Sequence, residues 1–233
     1  LVIGVICINP DIRFPALTQF VMGGGPVLAG PVWPFISITI ACGAISGFHA
    51  FIGSGTTPKL VDKWTDIQPV AFGAMLAECM VGVMAMIAAT ALHPADYFAI
   101  NASPEAFAKL GMQVVDLPQL SKEIGIDLYG RTGGAVTLAV GMSYIFTKVP
   151  WFSSLASYFF QFVVMFEAVF ILTAVDSGTR VSRYLIQDFF GEFYAPLKKI
   201  DWMPGAIGAS VLACVMWGYL LMSGDIGSVW ALF

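Results

Sequence analysis

Apolar residues fill the chain in long blocks separated by short polar or glycine/proline-rich breaks. Three blocks are long enough to cross roughly 30 Å of hydrocarbon as helices rising 1.5 Å per residue: about Pro69–Leu92, Trp151–Val175 and Pro204–Met222. The second is expected to run on as a more polar helix to about Phe193. Residues 1–8 read as the tail of a further membrane helix, closed by Asn9, Pro10 and Asp11. Residues 93–131 hold eight acidic or basic side chains and most of the turn formers, which predicts an extramembrane loop with one short helix near Pro104–Leu110.

Two blocks do not fit a plain span. Gly133–Pro150 is apolar but short and rich in glycine, which reads as either a tilted span or a re-entrant element. The stretch at 38–59, ITIACGAISGFHAFIGSGTTPK, is broken by Gly43, Gly47, Gly53 and Gly55 and dotted with Ser46, Ser54, Thr56 and Thr57. A helix interrupted there leaves backbone groups without partners, which lipid does not tolerate unless protein or a polar path receives them. The basic residues Arg180, Arg183, Lys198 and Lys199, with Lys59 and Lys63 in an expected loop at 54–68, argue that both loops face the cytoplasm. Residues 93–131 then lie outside, and parity makes 133–150 a re-entrant or surface element. The fold class predicted is all-α, a polytopic transmembrane helix bundle with a discontinuous or re-entrant helix.

Composition supports that class. Hydrophobic residues make up 58% of the 233 positions and charged residues 11%, against roughly 25% charged in soluble domains. The net charge of −4 is dispersed, with no basic stripe for nucleic acid. Cys7, Cys42, Cys79 and Cys214 stand singly in apolar surroundings, so buried reduced thiols are expected in place of a metal site or disulfides. The opening LVIGVICIN lacks a charged signal-peptide start, and the whole of 1–233 reads as a partial transmembrane domain, an internal piece of a longer membrane protein.

Ionisable groups inside the apolar blocks are the candidate chemistry. Glu78 shares a helical face with Ala71, Ala74, Gly82, Ala85 and Ala89, a small-residue stripe that suits close approach by another helix. A carboxylate at that depth either ties two helices while protonated or handles a coupling proton. Glu167 carries the same two readings. Thr173, Asp176, Arg180 and Arg183 share one face; Asp176 and Arg180 can pair within the helix, leaving an orienting ion pair or a cytoplasmic gate. His49 follows the Gly43/Gly47 packing spacing and is either a packing histidine or a proton-handling group. His93 reads as an interfacial residue.

The run Gly53–Lys59 lacks the GK[ST] ending of a phosphate loop and carries Pro58 where the helix would start. Catalytic triads, zinc signatures and metal-ligand spacings are absent from the sequence, so neither an enzyme, a metal nor a cofactor is expected.

The 38–59 stretch resembles the signature of the carbon starvation protein A (CstA) family of bacterial membrane transporters. Further blocks are similar in the same order: PALTQFV at 15–21, FGAMLAE at 72–78, RTGGAVTLAVGM at 131–142 and ILTAVDSGTRVSRYLIQD at 171–188. The resemblance implies a fragment at the junction of the family's N-terminal and C-terminal membrane regions, completed by the rest of a full-length chain. It implies a bacterial inner-membrane, inverted-repeat transporter with broken helices. Peptides or pyruvate, taken up when carbon is scarce and coupled to protons, are the implied substrates. The substrate and ion candidates are Ser46, His49, Ser54, Thr56, Thr57, Glu78 and Glu167; Asp176, Arg180 and Arg183 are the gate candidates. A membrane metabolite sensor or structural subunit is the alternative.

Overall fold

The computed structural model describes residues 2–27, 30–37, 40–41, 47–131, 133–200 and 202–223, and every regular element among them is helical. In chain order these are α1 (Val2–Ile8), α2 (Gly47–Phe51), α3 (Thr57–Leu60), α4 (Trp64–Ile67), α5 (Ala74–Ala91), α6 (Pro94–Asn101), α7 (Pro104–Leu110), α8 (Leu117–Ile124), α9 (Gly134–Thr147), α10 (Ala156–Gly191) and α11 (Met203–Ser223). Wider π turns occupy Val32–Ile36, Ile52–Thr56 and Gln68–Gly73. Among the described residues three stretches are long and apolar enough to cross a membrane: Trp64–Ala91, Ala156–Gly191 and Met203–Leu220. The chain divides into two compact units, Leu1–Gly43 with Lys63–Val169, and Ala44–Asp62 with Phe170–Phe233.

The first unit is built on α5 and α9, with α1 against both. Met84, Ala88 and Ala91 of α5 meet Leu138, Met142 and Ile145 of α9 in its core. Gly141 fits because nothing larger can: a Cβ there would lie 2.2 Å from the Ala88 carbonyl oxygen. Phe146 stacks on Phe159, ring centroids 4.8 Å apart, and Ser143 donates to the Ala156 carbonyl at 2.8 Å. The 14 residues of α9 extend about 21 Å at 1.5 Å each, against roughly 30 Å of hydrocarbon.

The 93–131 segment holds three helices where one was expected. Each carries Pro in its first turn, where a missing N–H breaks no helical bond. Ser103 caps α7 by accepting from Ala106 N. Gly111 and Gly125 close α7 and α8 in left-handed conformation. Asp96 is fully buried and accepts from the backbone N–H groups of Val115 and Asp116 at 2.8 and 3.0 Å. Buried Asn101 and Thr137 bond each other, joining α6 to α9. Arg13 pairs with Asp116 and donates to the Tyr144 hydroxyl at 3.0 Å. The hydrogen bond to Asp116 raises the Arg13 pKa further, against a smaller opposing effect of burial. These side-chain bonds could not be read from turn formers alone, which is why the segment looked like a loop.

Other expectations need correcting. The loop expected at 54–68 shrinks to the three residues between α3 and α4, because helix fills both sides. Cys7, Cys79 and Cys214 are free but exposed, not buried; they sit on outward faces of apolar helices, where composition alone mimics a core. Cys42 lies outside the described residues. The Trp64–Ala91 span buries little within its own unit, as expected of a helix whose apolar surface meets lipid or further protein.

Candidate functional site

The second unit centres on the turn the sequence marked out. Residues 47–60 form helix without a full break among the described positions: Ile52–Thr56 widens into a π turn and α3 continues from it. The local sequence explains the widening. Gly53 and Gly55 favour no particular helical state, and Pro58 has no N–H to return to the preceding turn. Hydroxyls take part in the repair. Ser54 donates to the Ala50 carbonyl at 2.7 Å and Thr56 to the Ile52 carbonyl at 3.3 Å, while the Thr57 N–H also reaches Ile52. Single π turns occur often at functional sites. The discontinuity expected at 38–59 is thus a change of helical pitch over its described part; Gly43 and Ser46 lie outside the described residues.

This π turn lines a cavity of about 290 Å³. Thr56, Lys59, Tyr184, Gln187, Asp188 and Lys198 supply its polar side chains, set among apolar ones such as Phe51 and Leu185. Tyr184, Gln187 and Asp188 are three and four residues apart and share a helical face. The Lys59 ammonium lies 4.6 Å from the Tyr184 ring centroid, a cation–π contact. Lys198 is bonded to Glu192 at 2.7 Å, and that hydrogen bond raises its pKa. Thr56 and Gln187 are the buried polar residues of the wall. Among the described residues neither amide atom of Gln187 has a hydrogen-bond partner.

The predicted residues divide. Thr56 lines the cavity; Gly55 does too, while Thr57 is half-buried and Gly53 and Ser54 are exposed. His49 is exposed on α2, and Gly47 opens that helix. Asp176 and Arg180 form the expected ion pair at 3.0 Å, well exposed. Arg183 instead lies over the Tyr184 ring at 4.7 Å, its Nε buried with no hydrogen-bond partner among the described residues. In the first unit Glu78 and its small-residue stripe are largely exposed, and Glu167 is half-buried; the structure brings neither into the cavity wall. Among the described residues no cluster of His, Cys, Asp and Glu could hold a metal. Sequence reasoning missed Gln187, Lys59 and Asp188. Their one signal was position within the 171–188 block and at the end of the 38–59 block.

Comparison with known proteins sets these blocks in context. The family described as Carbon starvation protein CstA matches residues 1–233. The Bacillus subtilis (strain 168) protein named Peptide transporter CstA is 77% identical over 233 residues, covering all of this chain and 39% of that protein. The Escherichia coli (strain K12) Peptide transporter CstA is 40% identical over 258 residues, and the Pyruvate/proton symporter BtsT of the same strain 39% over 280; each alignment covers the whole chain and 37% or 38% of the relative. The chain therefore spans less than two fifths of the length of these curated relatives. No solved structure shows significant similarity to it. With a match along its full length, the chain belongs to the carbon starvation protein CstA family.

Proposed function

We propose that the complete protein is a secondary active transporter of the bacterial inner membrane that takes up peptides or pyruvate with a coupling proton. The observation that carries this reading is the hydroxyl-bearing π turn at 52–56 lining a cavity with several polar groups beside an apolar helix long enough to span. A turn of altered pitch supplies backbone and hydroxyl groups that a regular helix keeps to itself, as broken helices do in transporters. The names of the relatives, a peptide transporter and a pyruvate/proton symporter, support the two substrate classes.

Glu78 and Glu167 are the proposed proton carriers, because a carboxylate on an apolar span is kept at a cost. Ser54, Thr56, Thr57 and His49 are proposed to face the substrate path, and the Asp176–Arg180 pair with Arg183 to gate it. The test is uptake by the full-length protein in proteoliposomes across an imposed pH gradient. Glu78→Gln or Glu167→Gln abolishes pH-driven uptake and leaves membrane insertion intact. Wild-type rates in both variants would end the coupling assignment, and ligand binding without counterflow would favour a sensor.

A further inference from the structure

We infer that the cavity in the second unit is a carboxylate-binding subsite in which the Gln187 amide and the Lys59 ammonium hold the anion. Gln187 is only 2% exposed, and both its amide nitrogen and its oxygen lack hydrogen-bond partners among the described residues. Buried polar side chains are almost always hydrogen-bonded in folded proteins, so an unpartnered amide on a cavity wall marks the place of a ligand. The flanking charges indicate its sign. Lys198 is already paired with Glu192. Lys59 has no salt bridge among the described residues and rests on the Tyr184 ring, one helical turn before Gln187 on the same face. A residue bearing a cation and one bearing an N–H donor, lining one cavity, favour an anion with two acceptor oxygens. A volume of about 290 Å³ is at the small end for ligand sites, which suits a short organic acid.

This inference deepens the transporter reading and rests on it for the ligand's source. A 2-oxo acid and a peptide both offer a carboxylate. Asp188, on the same wall, separates them, since only the peptide brings an ammonium group for it to meet.

The experiment uses the full-length protein in detergent, with binding of radiolabelled pyruvate and of radiolabelled dialanine measured separately. Gln187→Leu and Lys59→Gln each raise the Kd of the recognised acid about tenfold or more, as expected for loss of a hydrogen bond to a charged group. Dialanine carrying a C-terminal amide binds wild type as weakly as the acid binds these variants. Asp188→Asn weakens dialanine alone if the source is a peptide and leaves pyruvate unchanged if it is the oxo acid. Gln187→Glu, which keeps the shape and adds a like charge, abolishes binding while the variant still elutes as a folded protein. Wild-type affinities in Gln187→Leu and Gln187→Glu, or binding of neither acid by the wild type, overturn the assignment. Counterflow by the wild type with unaltered binding in these variants overturns the subsite and leaves the transporter reading standing. Binding that depends on Gln187 without counterflow does the reverse.

Discussion

Replacing Gly141 by alanine places a methyl carbon 2.2 Å from the Ala88 carbonyl oxygen and 2.6 Å from its carbon. Real Cβ atoms do not approach closer than 3.0 Å, so α9 and α5 must part by about 0.8 Å along that contact. Backbone is what it meets, and backbone cannot rotate away as a side chain can. Overpacking of this kind costs about 1–3 kcal/mol, while alanine in a helix interior returns up to about 1 kcal/mol of conformational entropy. The net expectation is a loss of about 1–2 kcal/mol in the first unit. Gly134, at the start of the same helix, has nothing within 4 Å of its would-be Cβ and serves as the control. Thermal unfolding of the purified full-length protein should show Gly141→Ala melting several degrees below wild type, with Gly134→Ala at or above it. Adding Ala88→Gly should not restore the loss, because the obstructing atoms are the backbone of residue 88. Equal melting temperatures for the two glycine variants would refute the close packing of α9 on α5.

Two more outcomes follow from the same unit. Asp96→Ala removes the acceptor of the Val115 and Asp116 N–H groups and costs about 3 kcal/mol, with amide exchange at both residues accelerated and Asp96→Asn intermediate; unchanged protection would contradict the assignment. Burial raises the Tyr97 pKa above its ordinary 10.0, so the folded state holds a proton that the unfolded chain has already released. That contribution is full below about pH 10 and is lost as pH rises through the raised folded value. Tyr97→Phe should lose less stability than wild type across that alkaline range, and parallel pH curves would show that Tyr97 is not buried in the folded protein.

The spans were legible because length and apolarity are local properties. The 156–191 helix was anticipated through its polar half because Asp176 and Arg180 pair within one turn. What stayed hidden depends on long-range partners. Nothing near Asp96 in sequence says that it will receive two amides from twenty residues on, so its segment reads as polar loop. Glu78 drew notice as an acid in an apolar run, whereas Gln187 sits in a mixed stretch where an amide looks ordinary. Only its burial without partners distinguishes it. Thr56 was legible and Lys59 was not, because hydroxyls beside glycines signal a break while a lysine beyond proline signals a helix end.

The π turn at 52–56 also fixes a phase. It accommodates one residue more than an α-turn would, and each residue of an α-helix turns the next by about 100°. Deleting a single residue there, Gly53 for instance, would let the ladder close as ordinary α-helix while everything beyond it keeps nearly its present phase about the axis. Lys59 would then stay on the side of the helix that meets Tyr184, whereas a one-residue deletion in regular helix would turn it away by about 100°. The wide turn is where this segment has slack in its count of residues, and a one-residue deletion within it should be tolerated better than one in the regular helix beside it.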